Sequence, residues 1–354
     1  MKRSVRMNLC LALVVLLCAC LAGPLFAQEK PKAKFVTLPP RYLNRLVAPA
    51  PTGLQSWNGT AAGLPFTMVG TDPSSTNTTT TVTAYLVPIR IVMAAASATR
   101  DPRHVLSNGR TVTQNVAVSP IFNSGIDFVQ GGTDLGNTQY IDAYQRGNFW
   151  TDVSANTNYH VLLNLVVLPE QTLVVPPTAG SIGNEFGVSV ALVDINFFDA
   201  AWQKIISNNP TITPSSFPIA LTYNTYLTIG GGCCVGGYHS AFGNSTTPQT
   251  YSHFTYIDKV GAFSQDVSAL SHEVGEWMDD PFINNSGFCG GLLENGDPLE
   301  GGPNFGGFPY TLNGFTYNLQ DLVFLQYFGQ SPSTSVNGWF SFQNASLSVC
   351  SNGP

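Results

Sequence analysis

Four stretches of the chain are dense in branched and aromatic apolar residues and predict β-strands. They are residues 81–93 (TVTAYLVPIRIVM), 159–168 (YHVLLNLVVL), 217–229 and 253–257. Residues of these types pack well on a pleated, half-buried surface. The proline in the first stretch indicates an irregularity in that strand. This part of the chain is therefore expected to form a β-sheet.

Apolar residues at helical spacing indicate helices between and after these strands. In residues 139–150 and 264–281 such residues share one face of a predicted helix. Residues 188–206 begin as a strand and continue as a helix, with Asp194 near the turn between them. Strands interleaved with helices predict a single domain of the α+β class.

Composition divides the chain into three parts. Residues 1–27 are expected to be a secretory signal peptide, residues 28–75 an extended proline-rich arm, and residues 76–354 the α+β domain. From about residue 284 onwards, Gly and Asn are abundant and predict loops, except over residues 320–328.

The first 27 residues follow the order of a signal peptide. Lys2, Arg3 and Arg6 precede an apolar run over residues 9–22, and small residues lead to a cleavage point after Ala27. The run is shorter than the ~20 apolar residues of a membrane-spanning helix. The sequence therefore predicts a secreted, extracellular protein, or a periplasmic one, with no membrane association after cleavage.

The charge balance is acidic. The chain carries 15 Lys and Arg against 21 Asp and Glu. Three of the cations belong to the predicted leader, so the remaining part has a net charge of about −9. Nucleic acid is not an expected partner, because phosphate binding requires clustered Lys and Arg. The expected partner is a protein or peptide substrate, or cell-wall material.

Four cysteines follow the leader: Cys233, Cys234, Cys289 and Cys350. An even number in an exported chain indicates two disulfides. Adjacent cysteines rarely bond to each other, so Cys233 and Cys234 are expected to bond separately to Cys289 and Cys350, in either order. Zinc-binding thiolates are the alternative, although the chain has no CxxC spacing.

The predicted helix over residues 264–281 has two different faces. Ser264 is a suitable N-cap, Asp266 complements the helix dipole, and Pro281 marks the end. At ~100° per residue one side is apolar and the opposite side carries ionisable groups. The apolar side consists of Val267, Leu270, Val274, Trp277 and Met278, and the opposite side of His272, Glu276 and Asp279.

His272 and Glu276 lie one helical turn apart, so their side chains can converge on one metal ion. This HExxE spacing is that of the HExxH metal helix with a carboxylate in place of the second imidazole. Glu273 then corresponds to the general base that acts on a metal-bound water. Glu294 or Asp297 is the expected third ligand. Such a mixed ligand set favours Zn²⁺, and more oxygen ligands would favour Ca²⁺ or Mn²⁺.

The acidic residues around this helix lack nearby cations. Seven acids lie between Glu273 and Glu300, and no Lys or Arg follows Lys259. Such a cluster is self-repelling unless protons or a cation compensate it, which favours a metal. The alternative is a solvated acidic helix face.

His239 is a second candidate catalytic residue, at the end of the Gly- and Cys-rich segment GGCCVGGYHS. It is expected to contribute a ligand or a hydrogen bond, or to be a loop histidine without a role. His253, in a predicted strand, is expected to be structural. The sequence contains no GxSxG elbow and no phosphate-binding glycine loop.

The segments CCVGGYHS, HFTYID and SALSHEVGEWMDDP, followed by ENGD, together resemble the plant phosphate-induced, EXORDIUM-like secreted proteins and their bacterial relatives. The resemblance implies an extracellular α+β protein with a zincin-like metal helix. It implies His272, Glu276 and one of Glu294 and Asp297 as ligands. The chain departs from the pattern after Asp297, where Pro298 and Leu299 stand in place of the expected cysteine. The resemblance then implies that Cys289 forms that disulfide instead.

The expected function is that of a secreted, zincin-like metallohydrolase, and the expected activity is that of a metal-dependent peptidase. The first alternative is a non-catalytic secreted or cell-wall-associated EXORDIUM-like protein with a structural metal site. The second is a carbohydrate-binding module, suggested by the abundance of Tyr, Phe and Asn. The sequence defines neither the substrate nor the oligomeric state.

Overall fold

The computed structural model describes residues 34–36, 53–61, 63–287, 291–329 and 333–345, which belong to one compact unit. The predicted signal peptide, Cys289 and Cys350 lie outside the described residues. No helix in the described ranges is long and apolar enough to cross a membrane.

The described residues form a mixed α+β fold. The strands are β1 (Ser56–Ala61), β2 (Leu64–Val69), β3 (Thr79–Met93), β4 (Ala98–Arg100), β5 (Asp127–Gln130), β6 (Thr133–Asn137), β7 (His160–Val167), β8 (Gln171–Val175), β9 (Gly180–Glu185), β10 (Val188–Asp194), β11 (Phe217–Tyr223), β12 (Thr225–Ile229), β13 (Gly232–Val235), β14 (Gly237–Phe242), β15 (Gln249–Tyr256), β16 (Gly307–Leu312) and β17 (Phe315–Gln320). The α-helices are α1 (Val112–Ala117), α2 (Tyr140–Asn148), α3 (Trp150–Val153), α4 (Ile195–Ser207), α5 (Ser268–Asp279) and α6 (Asp297–Glu300). Short 3₁₀ turns cover Pro303–Gly306, Leu325–Phe328 and Val336–Gly338.

The long strand β3 is the centre of the main sheet. Strands β14, β15, β11, β3 and β4 follow one another in hydrogen-bonded order, and β7 and β8 also pair with β3. The pairings of β3 with β7, β8 and β11 are parallel, as is that of β11 with β15. Predicted strands 81–93, 159–168, 217–229 and 253–257 therefore all fall on strands of the structure.

A second sheet has the order β13, β12, β10, β9. The predicted strand–helix unit is present here as β10 and α4, with Asp194 between them as the helix N-cap. Its carboxylate accepts a hydrogen bond of 3.0 Å from the Phe197 N–H, which satisfies one of the free donors at the helix start. The helix over residues 139–150 is also present, as α2 and α3.

Two stretches contain more regular structure than the sequence predicts. Within the predicted arm, β1 and β2 form an antiparallel hairpin, and Met68 and Val69 are buried in the main core. In the predicted loop region, β16 and β17 form another hairpin. Both differences have the same cause: short strands among Gly, Pro and Asn carry a weak local signal and are stabilised by packing.

Helix α5 starts four residues later than predicted. Ser264 lies in a turn with φ of +58° and is not the N-cap. Asp266 does contribute at the start, because its carboxylate accepts from the N–H of Val267 at 2.5 Å and of Asn318 at 2.8 Å. All twelve residues of α5 are buried, so the predicted ionisable face is covered by other parts of the chain.

The expectation that Cys233 and Cys234 bond to different partners is wrong. The structure joins them to each other in a disulfide. Here the peptide bond between them is cis and the Cα atoms lie 3.1 Å apart. Bonded sulfurs cannot act as zinc thiolates, which removes that alternative for this pair.

Candidate metal centre

Helix α5 packs against β14, β15 and β17, and this contact brings the candidate residues together. His239 lies on β14 and is fully buried, as are His272 and Glu273 on the helix. The pairing of β14 with β15 fixes the height of His239 along the sheet, opposite Ser252. The site is thus formed between a sheet edge and one helix.

His272, Glu276 and Asp297 form the first group, here called the His272 triad. The Nε2 atom of His272 lies 3.0 Å from Oε1 of Glu276 and 3.6 Å from Oδ1 of Asp297. One potential ligand atom from each of the three residues lies within 4.8 Å of the others. Of the two residues predicted as third ligand, Asp297 is the one in this group, and a single cation could contact all three residues.

His239, Glu273 and Glu276 form the second group, the His239 triad, which also has its potential ligand atoms within 4.8 Å. A hydrogen bond of 3.2 Å joins Nδ1 of His239 to Oε2 of Glu273. The same nitrogen lies 3.5 Å from Oε2 of Glu276. Glu276 therefore belongs to both triads and directs one oxygen to each histidine.

The acidic loop that carries Glu294 and Asp297 reaches the helix through a glycine. A Cβ atom on Gly296 would lie 2.3 Å from Nδ1 of His272, so only glycine allows this approach. The Gly296 N–H donates to Oε1 of Glu276 at 3.1 Å. Burial raises the pKa of Glu276, and a hydrogen bond with Glu294 offsets part of that rise. Glu294 therefore contacts a member of both triads, whereas Asp297 faces His272.

Both histidines are held in the neutral form. Burial lowers the pKa of His239 to about 3, with a further contribution from His272. Burial also lowers the pKa of His272 to about 4, although the neighbouring Asp297 acts in the opposite direction. Neutral imidazole is the form that binds metal ions.

The pKa values of the neighbouring carboxyl groups are raised, whereas those of the two histidines are lowered. Burial raises the pKa of Glu273 and of Glu276 well above the usual value, and the nearby carboxylates raise them further. Burial likewise raises the pKa of Asp297, and that of Glu300 to about 8. Such a cluster retains protons at neutral pH unless a cation replaces them.

Part of the compensating charge comes from the far N-terminal side of the chain. Burial raises the pKa values of Asp297 and Glu300, and the positive charge of Lys34 offsets a small part of that rise. The next residue, Phe35, places its ring 4.1 Å from the imidazole of His272, and its N–H donates to Glu300 at 2.5 Å. Residues 34–36 thus cover the cluster, and nothing in their sequence indicates this role.

Asp279 and His253, which are close to the site in sequence, form hydrogen bonds with residues outside both triads. Asp279, expected on the same helix face, accepts hydrogen bonds from Tyr144 and Gln145 on α2 and from Asn295, which makes it a link to the core. His253 is buried and shares a hydrogen bond of 3.0 Å with Thr222, in agreement with a structural role.

Sequence patterns do not reveal the role of the glycines of the site or of the covering residues. Gly237 allows the closest approach on the sheet side, since a Cβ there would lie 2.7 Å from Oε1 of Glu273. The ENGD and GGY glycines were visible as motif positions, but their role depends on contacts across the fold. Comparisons of the chain with protein-family models, curated proteins and solved structures find no match.

Proposed function

We propose that this protein is a zincin-like metallohydrolase, and that it is a peptidase whose metal ion is bound by the His272 triad. The observation that carries the proposal is the convergence of neutral His272 with the carboxylates of Glu276 and Asp297 in a buried position. An imidazole with two carboxylates is a ligand set suited to Zn²⁺, which lowers the pKa of a bound water and polarises a carbonyl.

Glu273 is the proposed general base. Its Oε2 atom is held by His239, whereas its Oε1 atom makes no hydrogen bond to any of the described residues. One oxygen is thus fixed and the other is available to accept a proton from water. His239 orients Glu273, and its Nδ1 atom also lies 3.5 Å from Oε2 of Glu276. This assigns catalytic roles to Glu273 and His239 and ligand roles to His272, Glu276 and Asp297.

Glu294 is proposed to act through Glu276, with which it forms a hydrogen bond. Partners of this kind orient the ligand and typically change metal affinity by ~10–100-fold when removed. If Glu294 binds the ion directly, the site becomes richer in oxygen and better suited to Ca²⁺ or Mn²⁺. Metal analysis of the purified protein distinguishes these two arrangements.

A structural metal site in a non-catalytic secreted or cell-wall-associated protein is the second candidate. It is favoured by one observation: His272, Glu273 and Glu276 are all buried, and the ring of Phe35 packs on the imidazole of His272, as expected around an ion that holds a fold together. The carbohydrate-binding alternative has no comparable support, because the aromatic ring at the site, that of Phe35, packs on Phe263 and His272.

The variant Glu273→Gln separates an enzyme from a structural protein. Glutamine keeps the size and the contact with His239 but cannot act as a base. In a hydrolase the variant should retain its metal and thermal stability and lose ~10²–10⁴-fold in turnover, the usual contribution of general base catalysis. The assay is cleavage of an unfolded protein substrate with Zn²⁺, with and without chelator.

The variant His272→Ala is the matched control, because it removes a ligand and should abolish metal binding. If the unmutated protein binds Zn²⁺ but shows no chelator-sensitive cleavage, and Glu273→Gln changes nothing, the peptidase proposal is wrong and the structural site is favoured.

A further inference from the structure

Residues 34–36, the covering segment, contact the site as a bound peptide would. The Lys34 N–H donates to the carbonyl of Cys234 at 2.9 Å, and the Gly236 N–H donates back to the carbonyl of Lys34 at 3.2 Å. The Val36 N–H donates to the carbonyl of Gly237 at 3.3 Å. These are main-chain bonds of an extended strand added in parallel to the end of β13, a common mode of peptide recognition.

The side chain of Phe35 fills an apolar position directly over the cluster. Its ring is 3% exposed and lies 4.5 Å from the ring of Phe263 and 4.1 Å from the imidazole of His272. Gly236 forms the floor, because a Cβ there would lie 2.8 Å from the Phe35 ring. The position therefore has the size and lining for one aromatic side chain.

The negative charges of the site complement Lys34, the residue that precedes Phe35. Lys34 is exposed, and its positive charge acts on Asp297 and Glu300. Glu300 also accepts the N–H of Phe35. The described part of the acidic loop supplies no cation of its own, so a basic residue at this position meets uncompensated carboxylates.

The geometry points to a peptide-binding groove between β13, Phe263 and the acidic loop, which accepts extended peptides with a basic residue followed by an aromatic one. In the structure the chain's own Lys34 and Phe35 occupy it, so the covering segment is a built-in competitor for that ligand. This inference rests on the proposed function only in placing the groove beside a hydrolytic site. The groove itself is defined by contacts that do not require a metal.

The test uses two variants that empty the groove in different ways. Phe35→Ala removes the aromatic anchor, and Lys34→Glu places a negative charge against Asp297 and Glu300. Because Lys34 is exposed, the second variant should fold even if the first does not. Phe128→Ala is the matched control: Phe128 is similarly buried, but its ring contacts are Tyr140 and Tyr310.

The probe is fluorescein-labelled Lys-Phe-Val-amide, whose binding is followed by anisotropy. Phe35→Ala and Lys34→Glu should bind it at least about tenfold more tightly than the unmutated protein or Phe128→Ala. The reason is that the peptide can bind only to molecules whose groove is not occupied by the covering segment. Lys-Ala-Val-amide and Glu-Phe-Val-amide should bind at least about tenfold more weakly to the same variants.

Zn²⁺ titration and the rate of Zn²⁺ loss to chelator are measured in parallel. Faster loss in both variants than in Phe128→Ala supports a cover over the site. If folded variants bind the three peptides equally, or bind none of them, the proposed peptide-binding groove is refuted. Absence of Zn²⁺ binding in every protein overturns the proposed function but leaves the peptide measurements decisive for the groove.

Discussion

Gly296 offers the sharpest test of whether the acidic loop belongs to the proposed metal site. Its backbone has φ of −87° and ψ of −34°, which alanine adopts without strain. A Cβ atom would nevertheless lie 2.3 Å from Nδ1 and 2.4 Å from Cε1 of His272, where ordinary contacts begin at 3.4 Å. Gly296→Ala must therefore separate the loop from the helix by about 1 Å.

The expected size of the effect follows from that displacement. Ligand distances in metal sites are held to about ±0.2 Å, so a shift of about 1 Å takes Asp297 out of the position in which it shares an ion with His272. Crowding of a packed interior costs about 1–3 kcal/mol. If this cost falls on the metal-bound state, the Kd for Zn²⁺ rises about 5- to 150-fold.

Gly301→Ala is the control in the same loop. Gly301 has φ of −76°, and no atom lies within 4 Å of the position that a Cβ would take there, so the change should leave the Kd unaltered. The assay is competition for Zn²⁺ with a chromophoric chelator, accompanied by thermal unfolding of the metal-free proteins. Equal Kd values for folded Gly296→Ala and Gly301→Ala would show that the loop takes no part in binding.

Two further predictions concern the supports of α5. Burial raises the pKa of Asp266 to about 8, against hydrogen bonds from Val267 and Asn318 that lower it, compared with about 3.9 in an unfolded chain. The folded state thus binds this proton more tightly, so its stabilising contribution is complete below about pH 4 and is lost as the pH rises through 8. Asp266→Asn should flatten the dependence of the free energy of unfolding on pH over that range in urea titrations; an unchanged slope would contradict the assignment. Tyr144→Phe should lower the free energy of unfolding by about 1–3 kcal/mol, because the Tyr144 O–H lies 2.8 Å from the buried carboxylate of Asp279. A loss no greater than about 0.5 kcal/mol, typical of surface changes, would argue against that contact.

Local patterns predict the parts of this fold that depend on local interactions. The strand β3 and the position of Asp194 at the turn before α4 follow from residue types within a few positions of one another. The convergence of His272 with Glu276 follows from helical spacing alone. The acidic character of the loop predicts that either Glu294 or Asp297 lies close to His272 and Glu276.

The remaining features depend on contacts between distant segments. Ser264 has the side chain of an N-cap, but a turn with positive φ displaces the helix start to Ser268. Phe35 lies more than two hundred positions before His272, so no window of the sequence relates them. The bond between Cys233 and Cys234 depends on the local path of the backbone, which residue type does not specify.

The parallel pairings of β3 have a consequence for the order of folding. Thr79 pairs with His160 and Ala84 with Phe217, so the central strand must find partners that occur far later in the chain. Closing such long loops before any contact rewards them makes folding slow, on the order of milliseconds to seconds. Until then both edges of β3 are open and prone to association with other chains. Because α5 packs on β14 and β15, Glu273 and Glu276 can meet His239 only after these strands have formed, so assembly of the proposed metal site follows the pairing of the sheet.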